Sequence, residues 1–336
     1  MPRAGRPAEE RAMPTAAVCG RRAALTLLAA LPGMARAQGA WPERPIRIIV
    51  PFPPGGSNDI LARPLADRLQ QRLGRPVVVE NRGGAGGMIG AAALVQAPPD
   101  GYTFMVTSTS FVTAALVQPV GFTLPQDVTP VALLARSPFV VVAAPSVPAA
   151  DLAGFVAAAR ARPDAFTYGS AGPGSINHFL GAALAAAAGI RMTHVPYRGM
   201  APAITDLIAG RISLLVTTLP SAAAMIREGR IRLLAYTDQG APAGSPPAPT
   251  AREQGVDLTA SIWWGLFAPR GLPAPILARM HAETNAVLAE PEVARLYLGE
   301  GALPDPRPAE AFAAFLAEEV ARYRRIADIA AIREGG

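Results

Sequence analysis

The sequence predicts an α/β protein built as two domains with a ligand cleft between them, and three observations carry this. Short β-branched runs alternate with helical segments, the pattern of buried parallel strands covered by helices. Two such sets are joined by the long apolar stretch VALLARSPFVVVAAP (131–145), and a second apolar run around Trp263 and Trp264 offers a return crossing. Each set also carries one glycine- and serine-rich loop between a strand and a helix.

IRIIVPF (46–52) reads as the first strand, followed by a helix over Ser57–Leu73 that stops at Gly74. PVVVE (76–80) is the second strand. Its helix starts near Gly86 and ends before the turn Pro98-Pro99-Asp100-Gly101. YTFMVTS (102–108) is the third strand and FVTAALV a short helix. Beyond the crossing, DLAGFVAAARA is helical, FTYGS (166–170) is a strand and INHFLGAALAAAAG is an alanine-rich helix. MTHVPY, RISLLVTT and IRLLAYT are further strands, with PAITDLIAG and SAAAMIREG as helices between them. Residues 239–250 form a loop rich in proline, glycine and alanine, and the chain is largely helical from Pro273. The expected domains are 41–143 with 262–336, discontinuous in sequence, and 144–261. Hinges near Ala143 and Ile262 would let the two approach around a ligand.

The N-terminus reads as an export signal over residues 1–37. Arg21 and Arg22 precede the apolar run AALTLLAALPGM, which exits through Ala35-Arg36-Ala37. The run is too short to span a bilayer, which needs about 20 apolar residues. The arginine pair fits the twin-arginine route, and the expected location is the periplasm. This segment holds six arginines and two glutamates, so the whole-chain charge of +6 falls to about +2 without it. No arginine cluster interleaved with aromatics remains, which argues against nucleic acid as a partner. The chain has no lysine, which excludes a Walker lysine, a Schiff base and a Ser-Lys pair. The single cysteine, Cys19, lies in the signal, leaving the mature chain without thiol chemistry.

The sharpest local signal is PFPPGGSNDI (51–60). Gly55 and Gly56 free the backbone to turn and expose its amides. Ser57 can cap the helix or meet a ligand, and the helix N-terminus favours an anion. Asp59 suits the first helical turn, with an amine on the ligand as its other possible partner. GSAGPGSINH (169–178) repeats the idea through Ser170, Gly174 and Ser175. Neither loop is a dinucleotide or Walker fingerprint, and the second lacks the G-x-S-x-G of a nucleophile elbow. Three further stretches follow strands, where ligands of open α/β sheets bind: TSTS with Ser108 and Thr109, THVPYRG with Tyr197 and Arg198, and Thr217-Thr218. Arg198 reads as solvent-facing or as a carboxylate contact. His178, His194 and His281 lie far apart along the chain without zinc-ligand spacing, and His178 reads as structural. An exported hydrolase would need a serine, a histidine and an acid brought together, and no such set is visible.

WPERPIRIIVPFPPGGSNDILAR, VVVENRGGAGGMIG, PPDGYTFMV, GSAGPGSINH, HVPYRG and WWGLFAP occur in this order and span almost the whole mature chain. In these stretches the chain resembles the Bug or TctC family, the extracytoplasmic receptors of tripartite tricarboxylate transporters. The resemblance implies the two-domain periplasmic-binding-protein (flytrap) fold and a carboxylate held by backbone amides, hydroxyls and ordered water from opposed loops. It places the first anion loop at Phe52 and Gly55–Ser57 and the second at Ser170 and Gly174–Ser175. The far end of the ligand would be read by Thr109, Tyr197, Arg198 and Thr218. Members often carry an arginine before the Pro-Thr pair, whereas DQGAPAGSPPAPT has none. The expected protein is a monomeric binder without cofactor, not an enzyme. It would take a small mono- or dicarboxylate, with an aromatic acid or an acidic amino acid also open, and would serve membrane transporter subunits. Carboxylate sensing in signalling is the alternative use of the same cleft.

Exported protein should begin at Gln38. Mass analysis of the secreted chain checks this, and a full-length N-terminus would refute it.

Overall fold

The computed structural model describes residues 2, 5 and 41–329, except 239 and 243. The signal segment and the cleavage point before Gln38 lie outside these residues. From Trp41 onward the chain is a mixed sheet in two halves, covered by helices.

In the first half, β1 (Ile46–Val50) pairs in parallel with β2 (Val77–Asn81) and β3 (Thr103–Ser108). The crossovers are α1 (Ser57–Leu73) and α2 (Met88–Val95), and α3 (Ser110–Val117) follows β3. The isoleucines of β1 are fully buried, as expected of a strand covered on both faces. Helix α1 stops at Gly74, whose φ of 66° lets its amide turn back to the Gln70 carbonyl.

The long apolar stretch becomes one strand, β4 (Val128–Ala143), and its length has a structural cause. It pairs antiparallel with β9 (Ser261–Pro269) from Val128 to Pro138, then with β7 (Leu214–Thr218) and β8 (Arg232–Tyr236) up to Ala143. A single strand therefore belongs to both halves of the sheet. The change of partner falls at Pro138 and Phe139. Proline has no N–H to give a ladder, so it suits the position where one ladder ends. The second half is completed by β5 (Thr167–Ser170) and β6 (Thr193–Pro196), with β5 parallel to both β6 and β7. Its helices are α4 (Leu152–Ala161), α5 (Ile176–Ala188), α6 (Met200–Ile208) and α7 (Leu219–Arg227). The chain returns through β9 to α8 (Ala274–Leu288), α9 (Pro291–Gly299), the short β10 (Leu303–Pro304) beside β4, and α10 (Ala309–Ile329). The strands run β2-β1-β3-β9-β4-β7-β5-β6. Among the described residues no helix is long and apolar enough to cross a membrane.

The two tryptophans of β9 point to opposite faces, as successive strand residues must. The Trp263 indole donates to Glu319 of α10 at 2.9 Å, and the Trp264 indole donates to the Ser57 hydroxyl at 3.2 Å. Both rings are buried. Thr237 stitches the two crossing strands: its hydroxyl accepts from Phe139 N–H at 3.1 Å and donates to the Ala260 carbonyl at 2.7 Å.

Gly265 follows Trp264 on β9, and a Cβ there would collide with the Phe312 ring. Gly265→Ala should lower the thermal midpoint, consistent with an overpacking cost of about 1–3 kcal/mol. An unchanged midpoint in a thermal melt would show that Phe312 and β9 can yield.

Candidate functional site

Where the strands of the two halves end, a cavity of about 30 Å³ lies between the β1–α1 loop and the β5–α5 loop. The first half contributes Phe52, Gly56, Ser57, Asn58, Ser108 and Ser110 to its wall. The second contributes Ala171, Ile176, Asn177, Met200 and Thr218, and Ile262 comes from the crossing strand β9. The wall contains no charged side chain. A larger hollow of about 470 Å³ lies elsewhere, lined by Arg136, Asp238 and Asp305 among others. None of its lining residues opens a helix, so it lacks the anion-binding geometry described next.

Helices α1, α3, α5, α6 and α7 all begin at the small cavity. Each N-terminus carries roughly half a positive charge and unpaired amides. Gly56 is the cap residue of α1 and supplies no side-chain bond, so Ser57 is the first helical residue and not the cap. Its N–H donates to the Ser221 hydroxyl of the other half at 3.0 Å. The α5 terminus mirrors this, with Ile176 N–H donating to the Ser110 hydroxyl of the first half at 3.3 Å. Each helix therefore has its leading amide satisfied by a serine across the cleft. The halves also touch through Gln118, whose amide donates to the Pro173 carbonyl at 2.8 Å. Gly174 (φ 74°) permits this approach, because a Cβ there would lie 2.8 Å from Val117. Gly55 (φ 85°) makes the corresponding turn before α1.

The structure brings Phe52, Gly56, Ser57, Ser108 and Thr218 together at the cavity, and places the other sequence-derived candidates behind or beside it. Asp59 is buried, and both its oxygens are engaged. Oδ1 accepts from Arg63 and Asn81, and Oδ2 accepts from Arg63 and Gly55 N–H. Burial opposes its charge, but these bonds outweigh that and hold its carboxyl below the usual range. Asp59 thus braces the loop from within. Thr109 is tied to Trp263 by two bonds of 3.3 Å: its N–H donates to the Trp263 carbonyl and its hydroxyl accepts from Trp263 N–H. Ser175 caps α5, accepting from His178 N–H and donating to the Gly172 carbonyl at 2.7 Å. Ser170 and Gly174 also stand outside the wall. The Tyr197 hydroxyl is spent on Asp206 at 2.8 Å, and Arg198 is exposed.

Seven wall residues were not among the sequence-derived site candidates: Asn58, Ser110, Ala171, Ile176, Asn177, Met200 and Ile262. A signal for the two asparagines was present, since each follows its helix cap, Gly56 or Ser175, by two positions. Ser110 closes the TSTS run.

Two of the histidines, distant in sequence, meet in space. The His178 and His194 rings stack at 4.1 Å, and Tyr168 also stacks on His194 at 5.0 Å. The Ser170 hydroxyl lies 2.7 Å from His194 Nε2 and accepts from Gly172 N–H at 3.1 Å. This serine–histidine pair has part of the geometry of a nucleophile and base. However, Ser170 is fully buried and outside the cavity, and no carboxylate among the described residues bonds His194. The pair braces the second loop. Among the described residues no cluster of His, Cys, Asp and Glu could hold a metal ion.

The family model for the tripartite tricarboxylate transporter family receptor matches residues 61–332. A UPF0065 protein from the tcbD-tcbE intergenic region of Pseudomonas sp. strain P51 is 37% identical over 287 residues, 83% of this chain and 85% of its own length. A solved periplasmic transporter superposes with a TM-score of 0.85 at 34% identity, covering 88% of this chain and 99% of the other. A Rhodopseudomonas palustris protein solved with adipate gives 0.83 at 33% identity, covering 87% and 99%. MatC of the same organism, solved with bound malate, gives 0.81 at 32%, covering 85% and 99%.

The stacked imidazoles make the second loop acid-sensitive. Burial, and then the neighbouring His178, depress the His194 pKa to about 4, and burial depresses His178 in the same direction. An unfolded histidine titrates near 6.5, so the unfolded chain binds these protons more readily. The stability is therefore fully present above about pH 6.5 and is lost as pH falls toward about 4. The thermal midpoint of the wild type should drop more steeply across this window than that of His194→Gln. Parallel pH profiles would contradict the assignment.

Proposed function

The chain belongs to the tripartite tricarboxylate transporter receptor family, and from that premise we propose that it captures one carboxylate end of a small organic acid between the two loops. It is an extracytoplasmic solute-binding receptor. The observation that carries the carboxylate reading is the convergence of five helix N-termini on a cavity with no charged side chain. Amides and hydroxyls there offer an anion partial positive charge without an arginine. Relatives solved with adipate and with malate support the same ligand class.

A cavity of about 30 Å³ has room for one or two waters, so a larger acid needs the domains to part before it can enter. In this reading, 41–143 with 262–336 turns against 144–261 about the crossing strands, near the partner change at Pro138 and the Thr237 stitch. The loaded, closed form in the periplasm then presents its acid to membrane transporter subunits. We read the chain as non-catalytic, since the cavity wall offers hydroxyls and amides but no base.

A thermal-shift screen of succinate, adipate, malate and benzoate against neutral amides and sugars tests this. A bound acid should raise stability with concentration by mass action, by about 2.7 kcal/mol at a hundred times its Kd. Ser57→Ala should weaken that shift. Shifts with sugars and none with any acid would sink the carboxylate reading while leaving the fold untouched.

A further inference from the structure

We propose that the hollow of about 470 Å³ beside the crossing strands is a second small-molecule site. It takes a zwitterion that carries one ammonium and one carboxylate on a short apolar spacer. This inference stands apart from the carboxylate reading of the cleft, because the hollow and the small cavity share no wall residue. They also lie on different faces of β9. Ser261 lines the hollow and Ile262 lines the cavity, and successive strand residues alternate between faces. Arg136 of the hollow is opposite Trp263 in the ladder, and its guanidinium lies 6.0 Å from the Phe315 ring of α10. Directly opposed residues of an antiparallel pair share a face, so Arg136 stands on the α10 side. Trp264 projects to the other side, toward Ser57 and the cavity. The volume is that of a small-molecule pocket, and such pockets occur often where domains meet.

The ligand class follows from the charges in the wall. Arg136 precedes the change of partner at Pro138 and has β10 beside it, whereas Asp238 follows Thr237 in the second half. Both side chains are half-buried, so solvent screens them less than it would on an open surface. No described carboxylate pairs with the Arg136 guanidinium. The Asp238 main-chain carbonyl accepts from Gly240 N–H at 2.8 Å, while its carboxylate receives no bond from a described residue. The third charge is already balanced, since the two oxygens of Asp305 accept from Arg307 at 3.0 and 2.8 Å. One cation and one anion are therefore left facing a shared space without pairing with each other. A ligand carboxylate suits the first and a ligand ammonium the second, through charge-assisted hydrogen bonds. Leu303 and Pro304 give the spacer an apolar side. A dicarboxylate would set one end against Asp238, a diamine would set one end against Arg136, and a neutral sugar would leave both unpaired. Arg136 and Asp238 belong to different halves, so occupancy of the hollow is linked to the angle between them.

Calorimetry on the mature protein tests this with glycine, β-alanine, γ-aminobutyrate and ε-aminocaproate, whose two charges are set progressively further apart. At least one of them should bind, and the matching amine without the carboxylate should bind at least about tenfold more weakly. Arg136→Gln and Asp238→Asn should each weaken the zwitterion by about tenfold or more, while Ser57→Ala in the cleft leaves it unchanged. If Arg136→Gln does not fold, Asp238→Asn decides. Failure of every zwitterion to bind overturns the inference. Binding that either variant of the hollow leaves intact overturns it as well, and a loss in Ser57→Ala instead would place the zwitterion in the cleft. None of these outcomes touches the carboxylate reading, which rests on different residues.

Discussion

Helix N-termini from two domains face one another across a space that holds a water or two. Each brings roughly half a positive charge and amides without an intrahelical partner, so bringing them together is unfavourable unless something accepts from both. Much of the local structure answers that constraint. Ser221 and Ser110 reach across the cleft to the leading amides of α1 and α5. Asp59 places a carboxylate one turn into α1, where its charge is braced by Arg63 instead of being presented to the cavity. The wall needs no arginine, because the backbone already provides the field.

Holding such loops opposed requires a frame that is stiff within each domain and compliant between them. The strand β4 meets both needs. Its ladder with β9 serves one domain and its ladders with β7 and β8 serve the other, with Pro138 at the change. Few backbone groups are committed to both domains at that point, and Thr237 spans the gap with two hydrogen bonds. Trp263 and Trp264 then carry the position of β9 outward, one to α10 and the other to the hydroxyl of Ser57. The second indole links the crossing strand directly to the β1–α1 loop, so the positions of β9 and of that loop are coupled.

Much of this was legible in the sequence, because the signals were local. Alternating β-branched runs and helical segments gave the α/β pattern, and the limits Ser57–Leu73 and Gly74 coincide with α1 and its left-handed cap residue. The two glycine-serine loops were visible for the same reason, since strand, turn and cap chemistry lie within ten residues. What sequence could not supply was direction. Ser175 and Ser57 look alike in the chain, yet the first turns inward to cap α5 and the second reaches the cavity. Tyr197 follows a strand, as a ligand contact would, but its hydroxyl goes to Asp206. His178 and His194 meet only because β5 and β6 pair in parallel register, with Tyr168 opposite His194. Serines 110 and 221 escaped notice because their roles exist only across the cleft.

The reciprocal serine caps have a consequence for how tightly such a site can bind. With Ser110 and Ser221 on the leading amides, the closed arrangement already satisfies part of its own polar demand. In the proposed reading, an acid that enters would have to outcompete two hydroxyls, and its affinity would reflect the difference between carboxylate and hydroxyl as acceptors. Bonds to charged acceptors are roughly twice as strong as neutral ones, so the difference favours the acid without being the full value of two buried ion pairs. Half of the donors belong to each domain. Parting the domains therefore removes half of the field at once, and a ligand can shift the equilibrium between open and closed only by its differential affinity for the two. An arginine clamp on one domain would retain its anion in the open form. Neutral donors shared between two domains tie retention to closure, which suits a receptor that must surrender what it captures.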